Sequence, residues 1–270
     1  AIRRQRQMCI RDRLKMDFLG LRTLTVIRDA ETAVQKHHPE FSIQKLDYDD
    51  PETYKMLGQG DTEGVFQLES SGMKQVLVGL QPQNLEDVIA LISLYRPGPM
   101  DSIPTYLRNR HEPDKISYKT PQLAHILDVT NGCIVYQEQV MQIFRELAGF
   151  SFGQADNVRR AMSKKKHAVM EAEREHFVHG CTEPGHECPG CVANGISEKV
   201  ANEIYDEMSS FASYAFNKSH AACYAYVAFQ TAYLKCHYPS EFMAALLTSV
   251  LDNTDKVIEY SGECARLGTV

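Results

Sequence analysis

The sequence predicts a mainly α-helical protein with a few short strands, and three observations carry that expectation. Apolar residues recur at helical spacing, as in Val200, Ile204, Met208 and Phe211. Helix starts recur at short intervals: Asn84 with Asp87 before an apolar run, Ser151 with Gln154, then Ser197. Stops are as frequent, at Gly58 and Gly60, Gly79, Pro97-Gly98-Pro99, Gly149 and Pro239. Together they predict about nine helices or more. Strand signals are confined to Lys15–Leu19, Gly64–Leu68 and Gly132–Tyr136, each short and beside a glycine.

Composition narrows the function classes. With 270 residues, 43% of them apolar, the chain can build a substantial core. No run approaches the roughly 18 apolar residues of a membrane helix, and the Arg-rich start has no apolar stretch behind it, so a cytoplasmic protein without a secretory signal is expected. The net charge of −6 argues against binding nucleic acid by bulk electrostatics. Positive charge is instead local: residues 1–15 carry net +5 and residues 151–170 net +4, on a body of about −15. Of eight cysteines, five are scattered singly, as reduced intracellular thiols are.

Along the chain, Asp17 comes first, inside the apolar run Leu14–Gly20 and ahead of a helix from about Leu21 to Lys36. An unpaired buried carboxylate is costly, so Asp17 caps that helix, pairs with a cation such as Arg22, or binds a metal. Asp47-Tyr48-Asp49 has the spacing of a metal-binding carboxylate pair. The following Asp50-Pro51-Glu52 is an N-cap with proline at the first helical position, so these acids belong to a solvated loop and helix start. Arg96 follows a helix in a turn stiffened by Pro97 and Pro99, which makes it a positioned charge or a partner for that helix's last carbonyls. The polar stretch 111–121 is linker-like and marks a possible break between two helical lobes.

Two segments further on have the chemistry of anion sites. Arg159, Arg160, Lys164, Lys165 and Lys166 form a cationic ridge on a helix, either two bidentate guanidiniums backed by lysines or a solvated surface run. Phe216-Asn217-Lys218-Ser219-His220 opens an apolar helix running to His237. Its free N–H groups and the helix dipole suit a phosphate beside Lys218, while the plainer alternative has Asn217 or Ser219 as a cap and Lys218 in solvent. Between them, Cys181, Cys188 and Cys191 provide soft ligands and one C-x2-C knuckle in a Pro/Gly-rich loop. A structural zinc site there takes His179 or His186 as fourth ligand, His186 being the candidate retained.

Read in order, Lys15–Thr25, Gly64–Ser70, Tyr95–Pro99, Arg159–Lys165, and Phe216–Ala222 with Gln230–Lys235 resemble the alpha subunit of bacterial DNA polymerase III, the C-family of replicative polymerases. The resemblance runs from about Leu14 to Asp252. It implies the end of a palm domain over 14–22 and a fingers domain over 23–270, with 1–13 an atypical N-terminal segment, artefactual in character. It also implies a DNA-directed DNA polymerase that extends a primer by two-metal nucleotidyl transfer. Asp17 would match the third of three Mg2+-holding aspartates, the other two lying upstream of this sequence, so the fragment alone is expected to be inactive. Its implied partners are primer-template DNA and a deoxynucleoside triphosphate, with a sliding clamp and other replicase subunits bound through regions outside this sequence. Arg96, Arg159, Arg160, Lys164, Asn217, Lys218 and His220 would hold the incoming triphosphate. The rival reading is a non-catalytic helical nucleic-acid-binding module with a zinc-ordered loop; a third is an interaction scaffold whose cations are surface charges.

Overall fold

The computed structural model describes residues 20–163, 167–212 and 216–269. Among them are fourteen α-helices, here α1 (Arg22–Val34), α2 (Pro51–Gly58), α3 (Ser71–Leu80), α4 (Leu85–Leu94), α5 (Ile103–His111), α6 (Ala124–Leu127), α7 (Gln137–Ala148), α8 (Phe152–Ser163), α9 (His167–His179), α10 (Gly190–Ala193), α11 (Glu198–Ala212), α12 (Lys218–His237), α13 (Pro239–Ser249) and α14 (Thr254–Leu267). The mainly helical class is as expected. No described helix is long and apolar enough to cross a membrane.

Local chemistry places the starts. Asp50, Ser70, Asn84, Asn217 and Asn253 each accept a hydrogen bond from the backbone N–H three residues on, satisfying one of the donors a helix start leaves open. Ser151 and Gln154 close a reciprocal capping box at α8, the Gln154 carbonyl oxygen accepting from Ser151 N at 2.7 Å. Gly149 ends α7 in the left-handed conformation. Gly79 does not end α3, which runs one residue further and stops with Gln81 left-handed.

Two strand-like runs take other forms, and side chains explain both. Over 64–68 the chain makes successive turns, Thr62 Oγ1 donating to Leu68 O at 2.6 Å and Phe66 N donating to Thr231 Oγ1 at 3.1 Å. Over 132–136 the N–H groups of Val135 and Tyr136 donate to the buried Gln139 Oε1 at 2.9 and 3.0 Å, and only an isolated parallel bridge, Tyr136 to Phe216, forms. The third run, 15–19, lies outside the described residues, as does the expected palm strand.

The apolar faces collect into three cores. The first packs α2–α5 around the middle of α12, with Leu57, Leu77, Val88, Leu91 and Phe229 sealed from solvent. A second gathers α6–α11 around Phe144, Phe177 and Tyr205, whose rings meet edge-on or tilted. It takes up the helical stripe of Ile204 and Met208. The third joins α1, α13 and α14 through Val26, Ile27, Phe242 and Tyr260. α12 touches the first and third cores, Phe229 in one and Leu234 in the other, so its start is held at a fixed place relative to both.

Candidate functional site

The short segment that opens α12 is where distant parts of the chain meet. Phe216 N donates to Val135 O at 3.3 Å, and Gln137 N donates to Phe216 O at 2.9 Å, tying the entry of α12 to the entry of α7. The Arg96 guanidinium lies over the Phe216 ring, 3.9 Å from its centroid, and Arg96 Nε donates to Ser93 O at 3.2 Å, so both sequence-derived roles for this residue hold at once. Burial pulls its pKa down from the usual arginine range without discharging it. On the other side of the junction, Arg159 Nη1 donates to Gln137 Oε1 at 2.9 Å. Arg96 and Arg159 thus flank one backbone bridge although 63 residues separate them in sequence.

Two clefts open beside this bridge. One, of about 490 Å³, is bounded by α7 and α8 and lined by Gln137, Glu138, Arg145, Asp156, Arg159 and Asn217. The other, about 450 Å³, has an aromatic lining of Tyr95, Phe216, His220 and Tyr224 with Arg96 and Glu69. The His220 ring lies between its neighbours, edge-on to Phe216 at 5.3 Å and tilted against Tyr224 at 4.4 Å. Arg160 reaches the first cleft through Asp156, whose Oδ2 lies 2.8 Å from Arg160 Nε while Oδ1 accepts from Arg159. The Arg159 hydrogen bond, with Arg160 adding to it, holds the Asp156 carboxyl below the usual carboxylate range.

The helix start itself is already supplied with an anion. Asn217 Oδ1 caps α12 by accepting from His220 N at 2.9 Å, and the Glu138 carboxylate accepts from Lys218 N and from Asn217 Nδ2 at 3.1 Å. Lys218 Nζ is 3.0 Å from Glu86 Oε2 and 5.2 Å from the centre of the buried Tyr136 ring, so it is a paired, partly exposed cation. An internal carboxylate therefore stands where sequence chemistry places a phosphate oxygen. Asp17 and Lys164 lie outside the described residues.

Residues 23–185 match the bacterial DNA polymerase III alpha subunit finger domain. The chain belongs to that family. Three proteins named DNA polymerase III subunit alpha extend the match: 49% identity over 261 residues in Thermus aquaticus, 46% over 256 in Bacillus subtilis strain 168, and 44% over 256 in Staphylococcus aureus strain COL. Each alignment covers 94% of this chain but only 21%, 22% and 23% of the relative. The chain spans about a fifth of the length of these curated relatives.

Within this finger-domain chain the cysteine-rich loop is organised by packing. Cys181 and Cys188 exchange backbone hydrogen bonds of 2.9 Å as an isolated antiparallel pair, and Cys188 Sγ donates to His176 O at 3.5 Å. Cys191 is sealed in the second core, where burial pushes its thiol up to about 12. The loop base is pinched between two glycines: a Cβ on Gly190 would sit 2.3 Å from Gly180 N, and one on Gly180 2.5 Å from Pro189 O. Two donor triads meet within 4.8 Å among the described residues, and neither contains Cys181, Cys188, Cys191 or His186. The zinc reading of this loop stays an expectation from ligand chemistry: Cys188 and Cys191 belong to the second core and Cys181 packs against it.

One of those triads, Asp61, Glu63 and Glu263, looks like a site for a hard cation but is filled by side chains. Lys235 Nζ lies 2.7 Å from both Asp61 Oδ1 and Glu263 Oε1 and donates to Glu63 O at 3.1 Å, with its side chain fully buried. Arg266 Nε adds 2.7 Å to Glu263 Oε2. The Asp47–Asp50 segment is a helix start, Asp50 Oδ2 accepting from Thr53 N at 2.9 Å. Arg22 donates to Ser249 O at 2.8 Å and lies 3.7 Å from Asp252. Sequence reasoning gave no role to Glu138, Glu86, Gln137 or Asp156, the partners that hold these cations. Their signal is weak, because an acid on a helix face is ordinarily solvated.

Proposed function

We propose that this chain is the nucleotide-holding part of a DNA-directed DNA polymerase, with Arg96, Arg159, Arg160 and Lys218 gripping the triphosphate of an incoming deoxynucleotide beside Asn217 and His220. The observation that carries this reading is the Phe216 bridge, which sets Arg96 and Arg159 on either side of one segment while two clefts open next to it. Arg159, Arg160 and Lys218 are held by carboxylates near the surface, Asp156 and Glu86, and such pairs are worth about 0–1 kcal/mol. A polyphosphate offering several oxygens can therefore take over these cations at small cost, and the guanidiniums supply bidentate geometry. The aromatic cleft around Phe216, His220 and Tyr224 has the flat apolar surfaces on which a base or sugar packs.

By the family resemblance, magnesium in the whole enzyme would be held by Asp17 with carboxylates outside this sequence, and would neutralise the leaving pyrophosphate. The contribution assigned to this chain is positional: it holds and orients the triphosphate. In the complete polymerase, Lys218→Ala and Arg159→Ala should each raise the KM for deoxynucleotide by about tenfold or more, since a charge-assisted hydrogen bond is worth about 1.5–3 kcal/mol. Primer-template affinity should change little. Steady-state kinetics and a DNA-binding titration make the check; unchanged nucleotide kinetics in both variants would remove this site from the reading, and a loss confined to DNA affinity would favour the nucleic-acid-binding module.

A further inference from the structure

The C-terminal end of α12 carries a donor set that the nucleotide reading does not use. Cys236 Sγ, a nitrogen of His237 and a carboxylate oxygen of Glu52 all lie within 4.8 Å of one another. The His237 ring packs on Tyr233 at 4.4 Å between centroids and is oriented by Asp50, whose Oδ2 lies 2.9 Å from Nε2. With Nε2–H donated to that carboxylate, Nδ1 keeps its lone pair, and Nδ1 is the atom 3.9 Å from Glu52 Oε2. This is the carboxylate–histidine arrangement that fixes tautomer and ring orientation at zinc centres. The fully buried Thr53 hydroxyl lies beside both Cys236 and Asp50, so the first turn of α2 is held against the end of α12 where these donors gather.

We propose that Glu52, Cys236 and His237 form a site for a zinc-class divalent ion, with Asp50 as the group that orients His237. One soft, one borderline and one hard donor suit Zn2+ in preference to Mg2+ or Ca2+, which take oxygen ligands. Tetrahedral zinc sets its ligand atoms roughly 3.3–3.6 Å apart. Glu52, whose side chain is 75% exposed, is free to swing the remaining distance. Cys236 and His237 end α12 while Glu52 lies in the first turn of α2, so the ion would clip these two elements together and leave a coordination position for water. Cys236 loses its thiol proton to solvent as the ion binds, and no redox change is involved. This site is independent of the nucleotide-holding reading.

Cobalt provides a spectroscopic probe of thiolate ligation. Titrating the metal-free chain with Co2+ should give a thiolate-to-cobalt charge-transfer band at one ion per chain, bleached by Zn2+. The band should disappear in Cys236→Ser and persist when Cys181, Cys188 and Cys191 are all changed to Ser. Asp50→Asn, which keeps a capping oxygen, should weaken binding by about 10–100-fold. Should Cys236→Ser fail to fold, the unaltered chain decides by itself: Zn2+ should slow alkylation of Cys236, followed by mass spectrometry, without slowing that of the exposed Cys223. A missing band, a band that survives Cys236→Ser, or equal alkylation of Cys236 with and without Zn2+ overturns the proposal.

Discussion

The two ends of α12 carry lysines under opposite conditions. At the start, Lys218 is 34% exposed, pairs with Glu86 and leans on an aromatic face. Near the other end, Lys235 is wholly enclosed and meets three acidic residues and a backbone oxygen. In the first setting, solvent screens the pair and an incoming anion can replace its partner; in the second, the low dielectric makes any unpaired member expensive. Identical side chains thus serve exchange in one place and cohesion in the other, and the surrounding dielectric decides which.

The sharpest way to break that contrast is Lys235→Met. It removes the buried one of the two cations that hold Glu263 and Asp61, leaving Arg266 alone with both, so unfolding in urea should show a loss approaching about 3 kcal/mol. Acid provides the next test. The Arg266 hydrogen bond, with Lys235 assisting against burial, holds the Glu263 carboxyl down from 4.5 to about 2. A depressed carboxyl pKa contributes stability that is complete above the unfolded value and is lost as pH falls through the folded one. The urea midpoint should accordingly decline from about pH 5 toward pH 2, and Glu263→Gln should flatten that decline. Asn217→Ala removes a cap at the open end and should cost about 1 kcal/mol, read in the same experiment. Smallest of all, Arg160→Ala should shift stability by no more than about 0.5 kcal/mol, its side chain being 64% exposed, while deoxynucleotide use by the complete polymerase falls.

The same contrast explains what the sequence disclosed. Asn84, Ser151, Asp50 and Asn217 were legible as caps because a cap is a local event, settled within four residues. The stripe from Ile204 to Met208 was legible because its period repeats. The runs 64–68 and 132–136 were misread as strands because Thr231 and Gln139 intercept the backbone groups that a ladder would use; Thr231 lies far off in sequence, and Gln139 carries no mark of its burial. Cation types at the site were visible in the residues and by resemblance, but their acidic partners were not. Lys235 stood inside a quoted motif without a role, since nothing in one dimension reports that Asp61 and Glu263 enclose it. At the cysteine loop, likewise, spacing counts candidate ligands but does not report that Cys191 is buried while Cys181 is only partly so.

The glycine pinch at Gly180 and Gly190 has a consequence for how this family can vary. Because both ends of the 181–189 excursion are clamped back to back, its tip is a hinge-free appendix: residues can be added or removed around Glu183–His186 without altering the direction in which α9 arrives or α10 departs. Natural length variation in the domain should gather at that tip, and an affinity tag or fluorescent reporter grafted there would leave the helices around it undisturbed.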